Sequence, residues 1–135
     1  MEDKLEIQVL TSDSTSETRT VFMSYGLLNS LTGLIGDPDR AVMLETDPEL
    51  CSTIVTAVFV PRTPSGKINV KLEDYDPPGL TTTEAEKLFD WVKGHVVDFF
   101  TRRLRSSLKL MEDRKDELKA IGSSLVGLSP APSKT

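Results

Sequence analysis

The longest apolar-patterned stretch free of proline runs over residues 83 to 121, and it restricts the chain to folds built around a long helix. Leu88, Val92, Val96, Phe99, Phe100, Leu104, Leu108 and Met111 recur at steps of mostly three or four, which places them along one drifting helical face. One continuous helix and two helices joined end to end both satisfy this pattern. Such a face must be covered by something.

The two halves of the stretch differ. Up to Phe100, the side chains of Phe89, Trp91 and Val97 fall outside the main stripe, so this half is apolar nearly all round and calls for cover on more than one side. From Thr101 onward the stripe thins, and Arg102, Arg103, Arg105, Lys109, Arg114 and Lys115 bring charge. The first half reads as core. The second reads as an extension that packs along a partner or stands in solvent.

A chain of 135 residues suits one ordinary domain, here expected over residues 1–122 with a flexible C-terminal tail over 123–135. The formal net charge of −5 gives no reason to expect a nucleic-acid binder, whose footprint is a basic stripe. Charge is uneven, however. Residues 1–60 carry three basic and ten acidic side chains, whereas residues 100–135 carry eight basic and four acidic. An acidic end and a basic end on one small protein suit self-association or docking to a charged partner, although a solvated helix face is the simpler account of any single charge.

Cys51 is the single cysteine, so the fold cannot rest on an internal disulfide or a thiolate cluster, and it reads as a small buried apolar residue. No apolar run approaches the roughly 18 to 20 residues that a membrane-spanning helix needs, so no membrane partner is expected. Met1-Glu2-Asp3-Lys4 is acidic and unlike a signal peptide, which leads to the expectation of an intracellular protein.

In chain order, Leu5, Ile7 and Val9 alternate with Glu6 and Gln8 as in a half-buried strand. Residues 11–18 are a loop by composition, and Arg19 to Phe22 either return as a second short strand or lead straight into a helix. Ser24 is placed to cap a helix through Tyr25, Leu27, Leu28, Leu31 and Leu34, which Gly33 and Gly36 end before Pro38. The short segment Arg40 to Leu44 suits a helical turn or a strand. Asp47-Pro48-Glu49 is a strong helix start for Leu50, Ile54, Val55 and Val58, with a buried strand left open by the β-branched content. After a Pro64-Ser65-Gly66-Lys67 turn, Ile68, Val70 and Leu72 alternate as a short strand would. Residues 81–86 have the Thr-x-x-Glu spacing of a capping box, and Gly122-Ser123-Ser124 is expected to break the long helix. The fold class is therefore mainly α: a small helical domain with a long C-terminal helix and one or two short β-strands near the N-terminus and around residues 67–72.

Residues suited to chemistry are few. His95 is the lone histidine, which excludes a histidine-based metal cluster, and on the crowded half of the helix it reads as a hydrogen-bonded core or interface residue beside Asp98. Asp37, Asp39, Glu45, Asp47 and Glu49 lack the alternation and glycine of a calcium loop. No phosphate-binding loop, nucleophile elbow or cysteine pair is present. Neither catalysis nor a cofactor is expected, and no metal.

The run Val21-Phe22-Met23-Ser24-Tyr25-Gly26-Leu27-Leu28-Asn29-Ser30-Leu31, together with Phe89-Asp90-Trp91-Val92-Lys93-Gly94-His95-Val96-Val97-Asp98-Phe99-Phe100, resembles the tail assembly chaperones of long-tailed bacteriophages. The intervening residues 47–67, with the Pro61-Arg62-Thr63-Pro64-Ser65-Gly66-Lys67 turn, are also similar. The resemblance implies a protein of the host cytoplasm that binds the tape measure protein, keeps it soluble, helps tail tube protein subunits gather around it, and leaves the finished particle. Many such chaperones are also made in a longer frameshifted form.

The apolar helix pattern, not the family, marks the expected partner-binding residues: Leu88, Trp91, Val92, Val96, Phe99 and Phe100 for packing, with Arg102, Arg103 and Arg105 orienting the partner at the rim. So much apolar surface also leads to the expectation of a homo-oligomer. Two rivals differ in class. A structural tail or head-to-tail joining protein would remain in the virion, and a small enzyme or ligand-binding domain would bring Tyr25, Cys51 and His95 into one pocket.

Overall fold

The structure is a computed structural model that describes residues 2–11 and 15–128, with side chains described through residue 122. It contains a two-stranded antiparallel sheet, β1 (Lys4–Leu10) and β2 (Ser16–Phe22), followed by α1 (Tyr25–Ile35), α2 (Pro38–Val42), α3 (Pro48–Phe59) and α4 (Thr82–Leu128). The mainly α class, the long C-terminal helix and the N-terminal strand pair are all present. Residues 1–100 form one compact unit and the chain from Thr101 onward a second, so the division falls at Phe100 and Thr101 and not at residue 122.

In the first unit, local chemistry places each element. Leu5, Ile7 and Val9 are buried and their neighbours exposed, the period-2 pattern of a strand with one covered face. The returning strand begins at Ser16, earlier than the apolar residues alone suggest, because each residue of 4–10 has a partner in 16–22, from Lys4 opposite Phe22 to Leu10 opposite Ser16. Ser24 Oγ accepts from Leu27 N, and Gly36, at φ 93°, ends α1 in a backbone conformation that side chains disfavour. Gly33 lies inside that helix, not at its end.

Asp47 settles the ambiguity of the next segment. Its carboxylate accepts from Leu50 N at 3.1 Å, Pro48 occupies the first turn, and Leu50, Ile54, Ala57 and Val58 share one buried helical face. A strand would bury alternate residues instead. The β-branched residues cost a few tenths of a kcal/mol each in helix propensity, whereas burial of Ile54 alone contributes about 2 kcal/mol. Burial therefore wins.

Around residues 67–72 no strand forms. The alternation of Ile68, Val70 and Leu72 is real, but only an isolated bridge joins Ile68 to Arg62, and Leu72–Asp74 is a 3-10 turn. A strand needs a ladder, and among the described residues this segment makes only the single bridge. The loop is instead held by Arg62, whose guanidinium donates to Ser30 Oγ (3.1 Å), Gly66 O (2.8 Å) and Ala57 O (2.9 Å). Burial without a carboxylate among these partners lowers the Arg62 pKa. Gly66, at φ 90°, lies against Gly26 so closely that a Cβ on either would overlap the other's backbone.

The helix α4 starts as the capping spacing predicts, with Glu84 N donating to Thr81 Oγ1. Glu84 itself does not close the box. Its Oε2 accepts from Gln8 N on the open edge of β1 at 2.9 Å, while Leu10 N donates to Gly79 O at 2.8 Å, so two donors on that edge are satisfied by the start of α4 and the chain leading to it. Leu88, Val92 and Val96 then complete a single core with Leu5, Ile7 and Val9 of β1, Leu27, Leu31 and Ile35 of α1, and the buried face of α3.

The second unit is helical from Thr101 through Leu128. The expected break at Gly122-Ser123-Ser124 does not occur, since a glycine stops a helix by taking positive φ and Gly122 does not. Of the flexible tail expected over 123–135, residues 123–128 are thus helix, and residues 129–135 lie outside the described residues.

Candidate functional site

The residues expected to bind a partner separate into three environments. Leu88, Val92 and Val96 have no exposed surface. They are sealed in the chain's own core against the sheet, α1 and α3, so the expectation that they offer packing to another polypeptide is corrected: the stripe's need for cover is met from within.

Trp91, Phe99 and Phe100 are half-buried. The Trp91 indole donates to the backbone carbonyl of Glu2 at 2.8 Å, and its ring meets His95 edge to face at 5.1 Å. The same carbonyl lies 2.7 Å from His95 Nε2. A carbonyl oxygen only accepts, so Nε2 carries the hydrogen, and Glu2, two residues before β1, is clamped by two donors from one turn of α4. His95 is thereby a buried structural residue, as its position on the crowded half of the helix suggests. Phe99 and Phe100 contact one another edge to face at 6.0 Å.

Arg102, Arg103 and Arg105 are exposed, and they lie in the second unit. That unit carries most of the large apolar side chains left exposed on α4. Leu104, Leu108, Leu110, Met111, Leu118 and Ile121 are all more than half exposed, from 55% for Leu108 to 67% for Met111. Leu104, Met111 and Leu118 stand seven residues apart, and Leu108 and Ile121 flank them on the same face. Scattered surface leucines need no explanation, but here the exposed apolar residues recur on one helical face, interrupted by Arg114 and Lys115 between Met111 and Leu118. The sequence carried this signal in the seven-residue spacing. What obscured it was the denser aromatic content upstream, which is half-buried in the first unit.

The three residues that a ligand-binding rival would bring together have separate partners. Tyr25 stands exposed at the start of α1, the Cys51 thiol donates to Leu44 O at 3.3 Å, and His95 is engaged with Glu2. Burial, and then the nearby Glu45 and Asp47 carboxylates, raise the Cys51 pKa, which keeps the thiol protonated and a poor nucleophile. Among the described residues no cluster of three or more His, Cys, Asp or Glu is placed to hold a metal ion, and no helix is long and apolar enough to cross a membrane.

A groove of about 460 Å³ lies in the first unit beside β2, lined by Arg19, Thr20, Phe22, Ser24, Phe59 and Arg62 among others. Two of its Arg62 donors are already used on backbone oxygens, which makes the side chain a brace for the 62–66 loop. No family model, curated protein or solved structure matches the chain.

Proposed function

We propose that the chain is a tail assembly chaperone of the kind made by long-tailed bacteriophages, working in the host cytoplasm. In this reading it binds amphipathic helices of a tape measure protein, keeps them soluble, and helps tail tube protein subunits assemble around them. Two features support it. One is the resemblance of residues 21–31 and 89–100 to that family. The other, which carries the physical argument, is the exposed apolar face of the helix over 104–121, flanked by Arg102, Arg103 and Arg105. A long helical client exposes apolar stripes that aggregate, and a helix with an uncovered stripe of its own can take their place in helix-to-helix packing. The arginines then bias the choice toward clients with acidic rims.

The reading is tested by co-expression with a tape measure fragment that is insoluble alone. The native chain is expected to hold the fragment in solution, and the double variant Leu104→Asp with Leu118→Asp to lose it while remaining folded, because both side chains are exposed. Equal rescue by the two proteins would remove the distal stripe as the client contact. The chain's presence in purified virions would favour a structural tail or joining protein.

A further inference from the structure

The helical segment of the second unit has a physical deficit. Helices of about twenty residues are marginal in water, and most of their stability in proteins comes from packing an apolar face. Over 101–121 that face is present and exposed. We infer that it pairs with the same segment of a second copy of this chain, antiparallel, about a two-fold axis near residues 109–110.

Charge selects both the occupant and the direction. Residues 101–111 hold Arg102, Arg103, Arg105 and Lys109 and no acid, whereas residues 112–117 hold Glu112, Asp113, Asp116 and Glu117 against Arg114 and Lys115. A parallel pair sets the two basic blocks side by side. An antiparallel pair sets each basic block beside the acid-rich block of the other copy, so the segment is complementary to itself in that direction.

The heptad positions sharpen this. Arg103, Leu110 and Glu117 are seven residues apart and share one flank of the Leu104, Met111 and Leu118 stripe. About a two-fold axis the same flank faces itself. Arg103 of one copy therefore meets Glu117 of the other at both ends, while Leu108, Leu110 and Met111 of both copies gather at the centre. In a parallel pair that flank meets the opposite flank, and Arg103 has Leu108 before it. The interface is isologous and closes at two, which prevents the stripe from propagating into fibres.

The pairing does not depend on the chaperone reading. If both hold, the free protein keeps its stripe covered by a second copy and a client helix enters by exchange. Self-association is measured on the protein alone, so its failure leaves client rescue unaffected.

Sedimentation equilibrium of the full chain is expected to show a monomer–dimer equilibrium that weakens as salt rises. Arg103→Glu and Glu117→Arg each turn two attractions per dimer into repulsions, and each should raise the dissociation constant by about tenfold or more. Combined in one chain, the two reversals should restore dimerisation. Trp91 fluorescence checks that the first unit stays folded in every variant. A monomer at all concentrations, an assembly larger than two, tighter association at high salt, or a dimer indifferent to the single reversals would overturn the inference.

Discussion

Leu88 and Leu118 look alike in the sequence, each a leucine on the same long helix, and truncating each to alanine separates core from surface. Leu88 has no exposed surface and packs in the cluster formed by β1, α1 and α3. Leu88→Ala removes its transfer free energy and leaves a cavity, which together cost about 3 kcal/mol in a site that cannot collapse. Against a total stability on the order of 5 to 15 kcal/mol that loss is large, and for a unit of this size it lowers Tm by more than about 10 °C. Leu118 is 65% exposed. Only about a third of a leucine's burial free energy is at stake there, and alanine's better helix propensity offsets part of it, so Leu118→Ala should change stability by no more than about 0.5 kcal/mol. Urea unfolding followed by fluorescence supplies the assay, because Trp91 is the sole tryptophan and sits against the same core as Leu88. A loss below about 1 kcal/mol for Leu88→Ala, or equal losses for the two variants, would refute the assignment of the upstream half of the stripe to the chain's own interior.

Two further outcomes follow from particular contacts. Gly26→Ala places a Cβ on the Gly66 Cα, backbone against backbone with no flexible side chain to yield, so it should cost about 2 kcal/mol or more although alanine is the better helix former; a neutral or stabilising result in the same unfolding assay would contradict the close approach. Cys51 holds its proton to higher pH than a free thiol because burial and then the Glu45 and Asp47 carboxylates disfavour the thiolate, so its alkylation by iodoacetamide should be slower than that of a free thiol near pH 8 and should keep rising above pH 9; Glu45→Gln lowers the Cys51 pKa and should speed the reaction, and an unchanged rate would remove Glu45 as a cause.

What could be read from the sequence was whatever is decided within a few residues. Ser24, Asp47 with Pro48, and Thr81 each supply a side-chain acceptor to a backbone N–H three residues on, so helix starts were legible without tertiary knowledge. The alternation of Leu5, Ile7 and Val9 was legible for the same reason. Nonlocal competition decided the rest. The Glu84 carboxylate fits a capping box by spacing, yet a backbone donor 76 residues away, Gln8 N, takes it. Ile68, Val70 and Leu72 have strand periodicity, but periodicity does not supply a neighbouring edge, and Arg62 draws the preceding loop toward α1 and α3 instead.

The same limit explains why the expected site was only partly placed. Apolar periodicity says that a face needs cover and is silent on who provides it. Over Leu88 to Val96 the cover comes from the sheet and two helices, and the contacts that hold β1 there are made to the Gln8 amide and to the Glu2 carbonyl, groups that no side-chain pattern displays. Past Phe100 the seven-residue spacing continues while the rest of the core has been assigned, so Leu104, Met111 and Leu118 retain the unmet demand. The proposed partner contact is therefore assigned to the weaker half of the pattern. The aromatic residues upstream are half-buried in the first unit, whereas the sparse charged heptads that follow leave their apolar side chains exposed to water.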